Sequence, residues 1–266
     1  MPRFAANLSF LFQEVDFLER FAAAARVGFH GVECLFPYDY PAEAIAERLH
    51  TYGLELVLFN LPPGDWNAGE RGLAALPGRE EAFADAVERA LAYARVLNCR
   101  QLHAPAGIPP DGVSRHACEA VYIRNLRYAA ALLQPHGIRL LIEPINTVRD
   151  IPGYFLNTPT QARQIIEAVQ SDNLFLQMDL YHCQIMEGDL AERIRHHFGH
   201  ISHFQIAGNP GRHEPDVGEI NYPYLFTLID ELGYTGWIAC EYRPRHTTVA
   251  GLGWAQTYGI GEPAGA

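Results

Sequence analysis

Lysine is missing from the 266 residues: all 20 basic side chains are arginine. Schiff-base aldolase chemistry and lysine-anchored pyridoxal phosphate need an amine nucleophile, so both are excluded. A Walker A phosphate loop would also lack its lysine. Cysteine is sparse: Cys34, Cys99, Cys118, Cys183 and Cys240 are widely spaced, with no CxxC pair. Such usage gives neither a zinc ribbon nor a disulfide framework, and it suits a reduced, cytoplasmic protein. No apolar run approaches the ~20 residues of a spanning helix. The N-terminal stretch MPRFAANLSFLFQEVDF meets Glu14 and Asp16 soon after its short apolar run and lacks a cleavage pattern, so no signal peptide is expected. Basic blocks are absent too. With a net charge of −11, nucleic acid and anionic membrane are poor candidates for the main partner.

What is present is globular: 48% hydrophobic and 19% charged residues, enough to bury a large core without staples. Short β-rich apolar runs alternate with longer helical patterns along the whole chain. The strands expected are 4–12, 31–36, 55–61, 101–105, 139–144, 174–179, 201–206 and 237–242. Between them, residues 79–98 repeat apolar side chains at helical spacing. Residues 114–137 start at Ser114 as N-cap and end before Gly137, and 158–170 starts with a cap-competent Thr158 and Pro159. Alternating β and α predicts a parallel sheet, and eight such units in ~250 residues predict one (β/α)8 TIM barrel. The final helical segment is the weakest, and a short Gly/Ala-rich tail is expected from about residue 251. An open doubly wound sheet is the alternative, weakened because the first strand lacks a G-x-G-x-x-G turn. No linker divides the chain, so residues 1–266 read as a single domain.

Barrel active sites lie at the C-terminal ends of the strands. The last four expected strands each close on an oxygen-bearing side chain: Glu143 in LLIEP, Asp179 in FLQMD, Gln205 in HFQIAG and Glu241 in WIACEY. One per β/α unit puts all four at one rim, converging on a common point. Three buried carboxylates repel one another, so protons or a divalent cation must be present. All-oxygen ligation favours Mg²⁺, Mn²⁺ or a similar hard ion. The alternative is four separate strand-end residues bonded to helix N-termini.

Around this set, His182 follows Asp179 by three residues, and the loop AGNPGRHEPDVGEINYP after Gln205 carries Arg212 and His213. Arg212 could hold a substrate carboxylate or pair with Glu214 or Asp216 at the surface. His103 ends the fourth strand as pocket lining or as a core histidine. Glu33, closing the second strand, is at least as well explained by a structural hydrogen bond. His196, His197 and His200 resemble a metal site, but favourable charge at a helix C-terminus explains them better. Phe59, Pro62, Trp66 and Asn67 mark a rim loop or lid, or simple loop packing.

The stretches NLSFLF, VECLFPYDYP, FNLPPGDW, LHAPAG, LIEPIN, DLYHCQ and QIAGNPGRHEPDVGEINYP resemble the hydroxypyruvate isomerase family, within the xylose-isomerase-like barrel superfamily, from about residue 4 to 245. The resemblance implies metal ligation by Glu143, Asp179, Gln205 and Glu241. Gln205 stands where related sugar epimerases usually have His. It further implies Glu143 and Glu241 as the acid/base pair, substrate contacts from His182 and Arg212, and a homo-oligomer. The substrate implied is a small hydroxy-oxo acid, hydroxypyruvate or a 2-oxo-tetronate, isomerised through an enediolate. A multi-zinc phosphodiesterase would need more strand-end histidines and a basic groove. A non-catalytic sugar-acid binding protein would gain little from two glutamates beside an anion.

Overall fold

In the computed structural model, which describes residues 1–261, eight parallel strands close into a barrel in chain order. They are β1 (Arg3–Asn7), β2 (Gly31–Cys34), β3 (Glu55–Asn60), β4 (Gln101–His103), β5 (Arg139–Ile142), β6 (Leu174–Asp179), β7 (Ile201–Ile206) and β8 (Trp237–Cys240). Closure is made by β1, which pairs Ala5 with Gly31 of β2 and Arg3 with Trp237 of β8. The helices α1 (Phe17–Arg26), α2 (Ala42–Tyr52), α3 (Glu80–Leu97), α4 (Arg115–Leu133), α5 (Pro159–Val169), α6 (Leu180–Met186), α7 (Leu190–His197) and α8 (Tyr222–Glu231) fill the connections. This is the barrel that the alternation predicts.

Local chemistry explains where elements start and stop. The hydroxyls of Ser114 and Thr158 accept the backbone N–H of Ala117 and Gln161, both at 3.1 Å, and so cap α4 and α5. In α3 the buried residues Phe83, Ala86, Val87, Ala90, Ala94 and Leu97 recur at helical spacing and form the core-facing stripe. All five cysteines are buried and free. No described helix is long and apolar enough to cross a membrane.

Several expected strands stop one to two residues early, and β1 stops five early. The Asn7 carbonyl accepts from the N–H groups of Phe10 and Leu11, and the Asn7 side chain accepts from Ser9 N–H, turning the chain out of the sheet. Leu8, Leu11 and Phe12 are buried all the same, which is why the run reads as a strand. The expected tail from residue 251 is also corrected. Val249–Tyr258 forms a 3₁₀ helix whose Leu252 and Ala255 are buried. Trp254 and Tyr258 pack edge-on against Phe4 of β1, so aromatic burial overrides the glycines. The last of that expected tail, residues 262–266, lies outside the described residues.

Candidate active site

Side chains alternate across a strand, so residues two apart share a face. On the last four strands and their ends, this period pairs Leu141 with Glu143, Gln177 with Asp179, His203 with Gln205, and Ala239 with Glu241. Three levels follow. The floor is apolar: Ala5, Val57, Leu58, Leu141, Trp237 and Ala239 form one cluster. Over it lies a polar layer that crosses the barrel. Glu33 of β2 accepts from Asn7 Nδ2 (2.8 Å) and Gln205 Nε2 (2.7 Å), and its other oxygen meets His203 Nε2 at 2.7 Å. Gln205 Oε1 in turn accepts from Gln177 Nε2 at 2.6 Å. The structural role open to Glu33 is thus the one it fills.

The third level is the rim. Glu143 and Glu241 lie one residue past the ends of β5 and β8, and Asp179 both ends β6 and caps α6. Asp179 Oδ1 accepts from the N–H of Tyr181 (2.7 Å) and His182 (3.3 Å), while Oδ2 is buried without a hydrogen-bond partner. One atom each from Glu143, Asp179 and His182 lies within 4.8 Å of the others. Arg212 reaches in from the loop after β7: Nη2 is 3.3 Å from Glu241 and 3.8 Å from Asp179, and Nη1 bonds Asp150 at 2.7 Å.

The charge is unbalanced. Glu143, Asp150, Asp179 and Glu241 face a single guanidinium. Burial, reinforced by Glu241 and Asp179, pushes the Glu143 carboxyl well above the usual carboxylate range. Glu241 is pushed the same way by burial, against the opposing pull of Arg212. Burial would depress the Arg212 guanidinium, but Glu241, Asp179 and Asp150 outweigh it and hold the charge in place. Arg212 adopts φ +54°, a left-handed conformation that a side chain normally avoids, in order to enter this cluster. Excess buried negative charge, with a carboxylate oxygen that accepts no hydrogen bond among the described residues, fits a bound cation.

The histidines are neutral by construction. Asn146 Oδ1 accepts the N–H of Arg149 and Asp150, which fixes its amide so that Nδ2 donates to His182 Nδ1 at 2.7 Å. The proton of His182 must then sit on Nε2, which faces Glu143 and Asp179 at 3.8 and 3.6 Å. Burial, opposed by Asp179, lowers His182 to about 4. His103 is lowered to about 3 by burial and the neighbouring His203. Its Nδ1 meets Asn60 Oδ1 at 3.1 Å, while Nε2 lacks a partner.

His103, Glu143, His182, Arg212 and Glu241 all line one cavity of about 250 Å³, walled by Phe10, Phe36 and Trp66. That volume lies below the ~300–1,000 Å³ of drug-sized sites and suits a small metabolite. Gln205 does not line it; its amide is engaged in the layer beneath, with one carbonyl lone pair left free.

Two sequence expectations need correction. Arg212 is not a surface residue paired with Glu214 or Asp216: it is only 8% exposed, and Glu214 pairs with Arg245 instead. His197 is buried with neither ring nitrogen bonded, and burial lowers it to about 4, so it does not act as a charge at the end of α7. Of the expected rim loop, Trp66 lines the cavity, Phe59 is in the core and Asn67 is exposed. Sequence reading missed Asn146, Asp150 and Arg71. A signal was available for Asn146 and Asp150, which follow Glu143 directly in the loop INTVRD.

The chain matches the xylose isomerase-like TIM barrel family over residues 21–258. It is 55% identical to 2-oxo-tetronate isomerase of Cupriavidus necator, covering 97% of this chain and 99% of that protein. It is 50% identical to hydroxypyruvate isomerase of Escherichia coli, covering 97% and 100%. The crystal structure of AP endonuclease, family 2, from Brucella melitensis superposes with TM-score 0.95 at 55% identity over 97% of this chain and 99% of that one. The 3-keto-D-glucoside 4-epimerase of Escherichia coli shares the fold, with TM-score 0.81 at 21% identity over 97% and 100%. The chain belongs to the xylose isomerase-like TIM barrel family, with isomerases of small hydroxy-oxo acids among its homologues.

Proposed function

We propose that the protein is a divalent-metal-dependent aldose–ketose-type isomerase that converts hydroxypyruvate to tartronate semialdehyde, with a 2-oxo-tetronate as the alternative substrate. The observation that carries this reading is the convergence of Glu143, Asp179 and Glu241 at one rim, with Asp179 Oδ2 buried and accepting no hydrogen bond among the described residues. Those three carboxylates and the free lone pair of Gln205 would hold the cation. When bound, a hard ion such as Mg²⁺ or Mn²⁺ acidifies the C–H beside a carbonyl and stabilises negative charge developing on oxygen.

The chain's own residues supply the proton transfer. Glu143 and Glu241, both buried and both lining the cavity, are the acid/base pair. One takes the C3 proton of hydroxypyruvate at a carboxylate oxygen, a glutamate delivers a proton to C2, and the C3 hydroxyl proton passes to the C2 oxygen, so that C3 ends as the aldehyde and C2 as the alcohol. His182, with its proton fixed on Nε2 by Asn146, donates to a substrate oxygen as charge builds there. Arg212 keeps Glu241, Asp179 and Asp150 together in a space where they would otherwise separate. Phe10, Phe36 and Trp66 limit water around the enediolate.

The endonuclease name of the structural relative prompts a second reading, metal-dependent phosphodiester cleavage. The acid-rich cavity and the net charge of −11 favour the isomerase. Steady-state rates with hydroxypyruvate, 2-oxo-tetronates and an abasic DNA duplex decide between them, using chelator-stripped protein with added Mg²⁺ or Mn²⁺. Metal-restored turnover of a hydroxy-oxo acid is expected. Cleavage of the duplex with no turnover of either acid would overturn the proposal.

A further inference from the structure

A hydroxy-oxo acid keeps its carboxylate charge throughout the reaction, so a group that binds it contributes to substrate capture rather than to the proton transfer. Arg212 is already surrounded by Asp150, Asp179 and Glu241, His182 Nδ1 is engaged by Asn146, and His103 Nδ1 by Asn60. A guanidinium whose hydrogen-bonding edge is not already taken by a carboxylate is the group on the cavity wall best suited to a substrate carboxylate.

Two further guanidiniums line the cavity, Arg71 and Arg243. Arg243 is exposed, and its side chain makes no hydrogen bond or ion pair among the described residues. Arg71 is half-buried and pre-positioned. Its guanidinium lies flat on the Trp66 ring, 3.9 Å from the centroid, and Nη1 donates to the carbonyls of Trp66 (2.9 Å) and Glu70 (2.8 Å). Both acceptors are neutral, so the charge is not cancelled. The nearby Glu70 carboxylate is taken by Arg79 and by Asp65 N–H. The Nε–Nη2 edge of Arg71 has no partner among the described residues, and that edge is the fork that matches a carboxylate.

The loop holding Arg71 is anchored to the barrel. Gly72 has φ +132°, and a Cβ there would run into the Pro105 carbonyl, so only glycine lets the loop sit this close to the end of β4. Gly72 N–H bonds Pro63 O at 2.9 Å, and Ala75 N–H bonds Ala106 O at 2.8 Å. An arginine fixed on such a base loses little freedom when it captures a ligand.

We propose that Arg71 is the residue that binds the substrate carboxylate and selects 2-oxo acids over neutral ketoses, through its free Nε–Nη2 edge above Trp66. This rests on the isomerase reading. The test compares wild type, Arg71→Met, Arg71→Lys and Arg243→Met on hydroxypyruvate and on dihydroxyacetone, the neutral ketose with a hydroxymethyl group in place of the carboxylate. Calorimetric binding of glycerate, which carries the carboxylate but cannot isomerise this way, accompanies the kinetics. For Arg71→Met we expect KM for hydroxypyruvate and Kd for glycerate to rise at least tenfold. Its kcat should stay within threefold and its kcat/KM on dihydroxyacetone within twofold. Arg71→Lys, which keeps charge but loses the fork, should recover part of the loss. Unchanged KM and Kd in Arg71→Met, equal losses on both ketoses, or the same loss in Arg243→Met instead would each overturn the assignment. If wild type turns over neither acid yet binds glycerate through Arg71, the isomerase reading fails and the carboxylate site stands. If it neither binds glycerate nor turns over either acid, both fail.

Discussion

Two groups of buried acids sit within one barrel, and they are treated differently. In the inner layer, Glu33 has both oxygens filled by Asn7, Gln205 and His203, all within 2.8 Å. At the rim, Glu241 and Asp179 share one arginine at 3.3 and 3.8 Å, Glu143 meets only the rings of His103 and His182 at 3.6 and 3.8 Å, and Asp179 Oδ2 accepts no hydrogen bond among the described residues. Burial is equally deep in both, so depth does not separate structure from chemistry. Satisfaction does. A carboxylate whose hydrogen bonds are complete holds the fold, whereas one left incomplete is waiting for a ligand that the chain alone does not provide.

This contrast can be broken by mutation, beginning with the largest effect. Glu143→Gln should lower kcat by about 10²–10⁴-fold, the range of a lost general acid or base. It should leave the melting temperature unchanged or raised, because it removes a repelling charge. Glu33→Ala should do the reverse, costing about 3–5 kcal/mol of stability by stranding His203, Asn7 and Gln205. Denaturant unfolding paired with rates on the folded fraction checks both, and a Glu143→Gln variant as unstable as Glu33→Ala would erase the distinction.

A smaller effect appears in the pH dependence. Raised proton affinity at Glu143 and Glu241 means that the metal-free folded state retains protons the unfolded chain releases above ~4.3. Stability without metal is therefore lost as pH rises through the folded values. A cation must displace those protons, so its affinity should grow by up to about tenfold per pH unit for each proton released. In the folded state His103 and His182, at about 3 and about 4, do not titrate between pH 6 and 8, and their unfolded-chain titration is common to the runs with and without metal. Thermal unfolding with and without Mn²⁺ should show a larger metal-induced gain at pH 8 than at pH 6. A gain that is flat or falls with pH would place the metal away from these glutamates.

Much of this was legible beforehand, because the signals were local. The period of apolar residues located all eight strands, and the carboxylate closing β6 or following β5 and β8 marked the rim, whereas Gln205 of β7 lies in the layer beneath. The less legible part depended on pairings distant in the chain. Asp150 matters because Arg212 reaches it from another loop, and Asn146 because it sets the proton of His182. Gln205 was recognised as a strand-end oxygen, yet its bond to Glu33 spans the barrel between strands that are not neighbours, which no spacing reveals. The apolar run at 8–12 misled for a related reason: burial came from loop packing over the barrel, not from pairing in the sheet.

The most direct test of the rim as a proton-transfer centre is solvent exchange. Hydroxypyruvate in D₂O, followed by proton NMR with Mg²⁺- or Mn²⁺-loaded protein, should gain deuterium at C3 with wild type. Exchange should disappear in chelator-stripped protein and fall by at least two orders of magnitude in Glu143→Gln and in Glu241→Gln. Exchange at the wild-type rate in either variant would remove that glutamate from the acid/base pair, and exchange retained in both would contradict the assignment of the reaction to this rim.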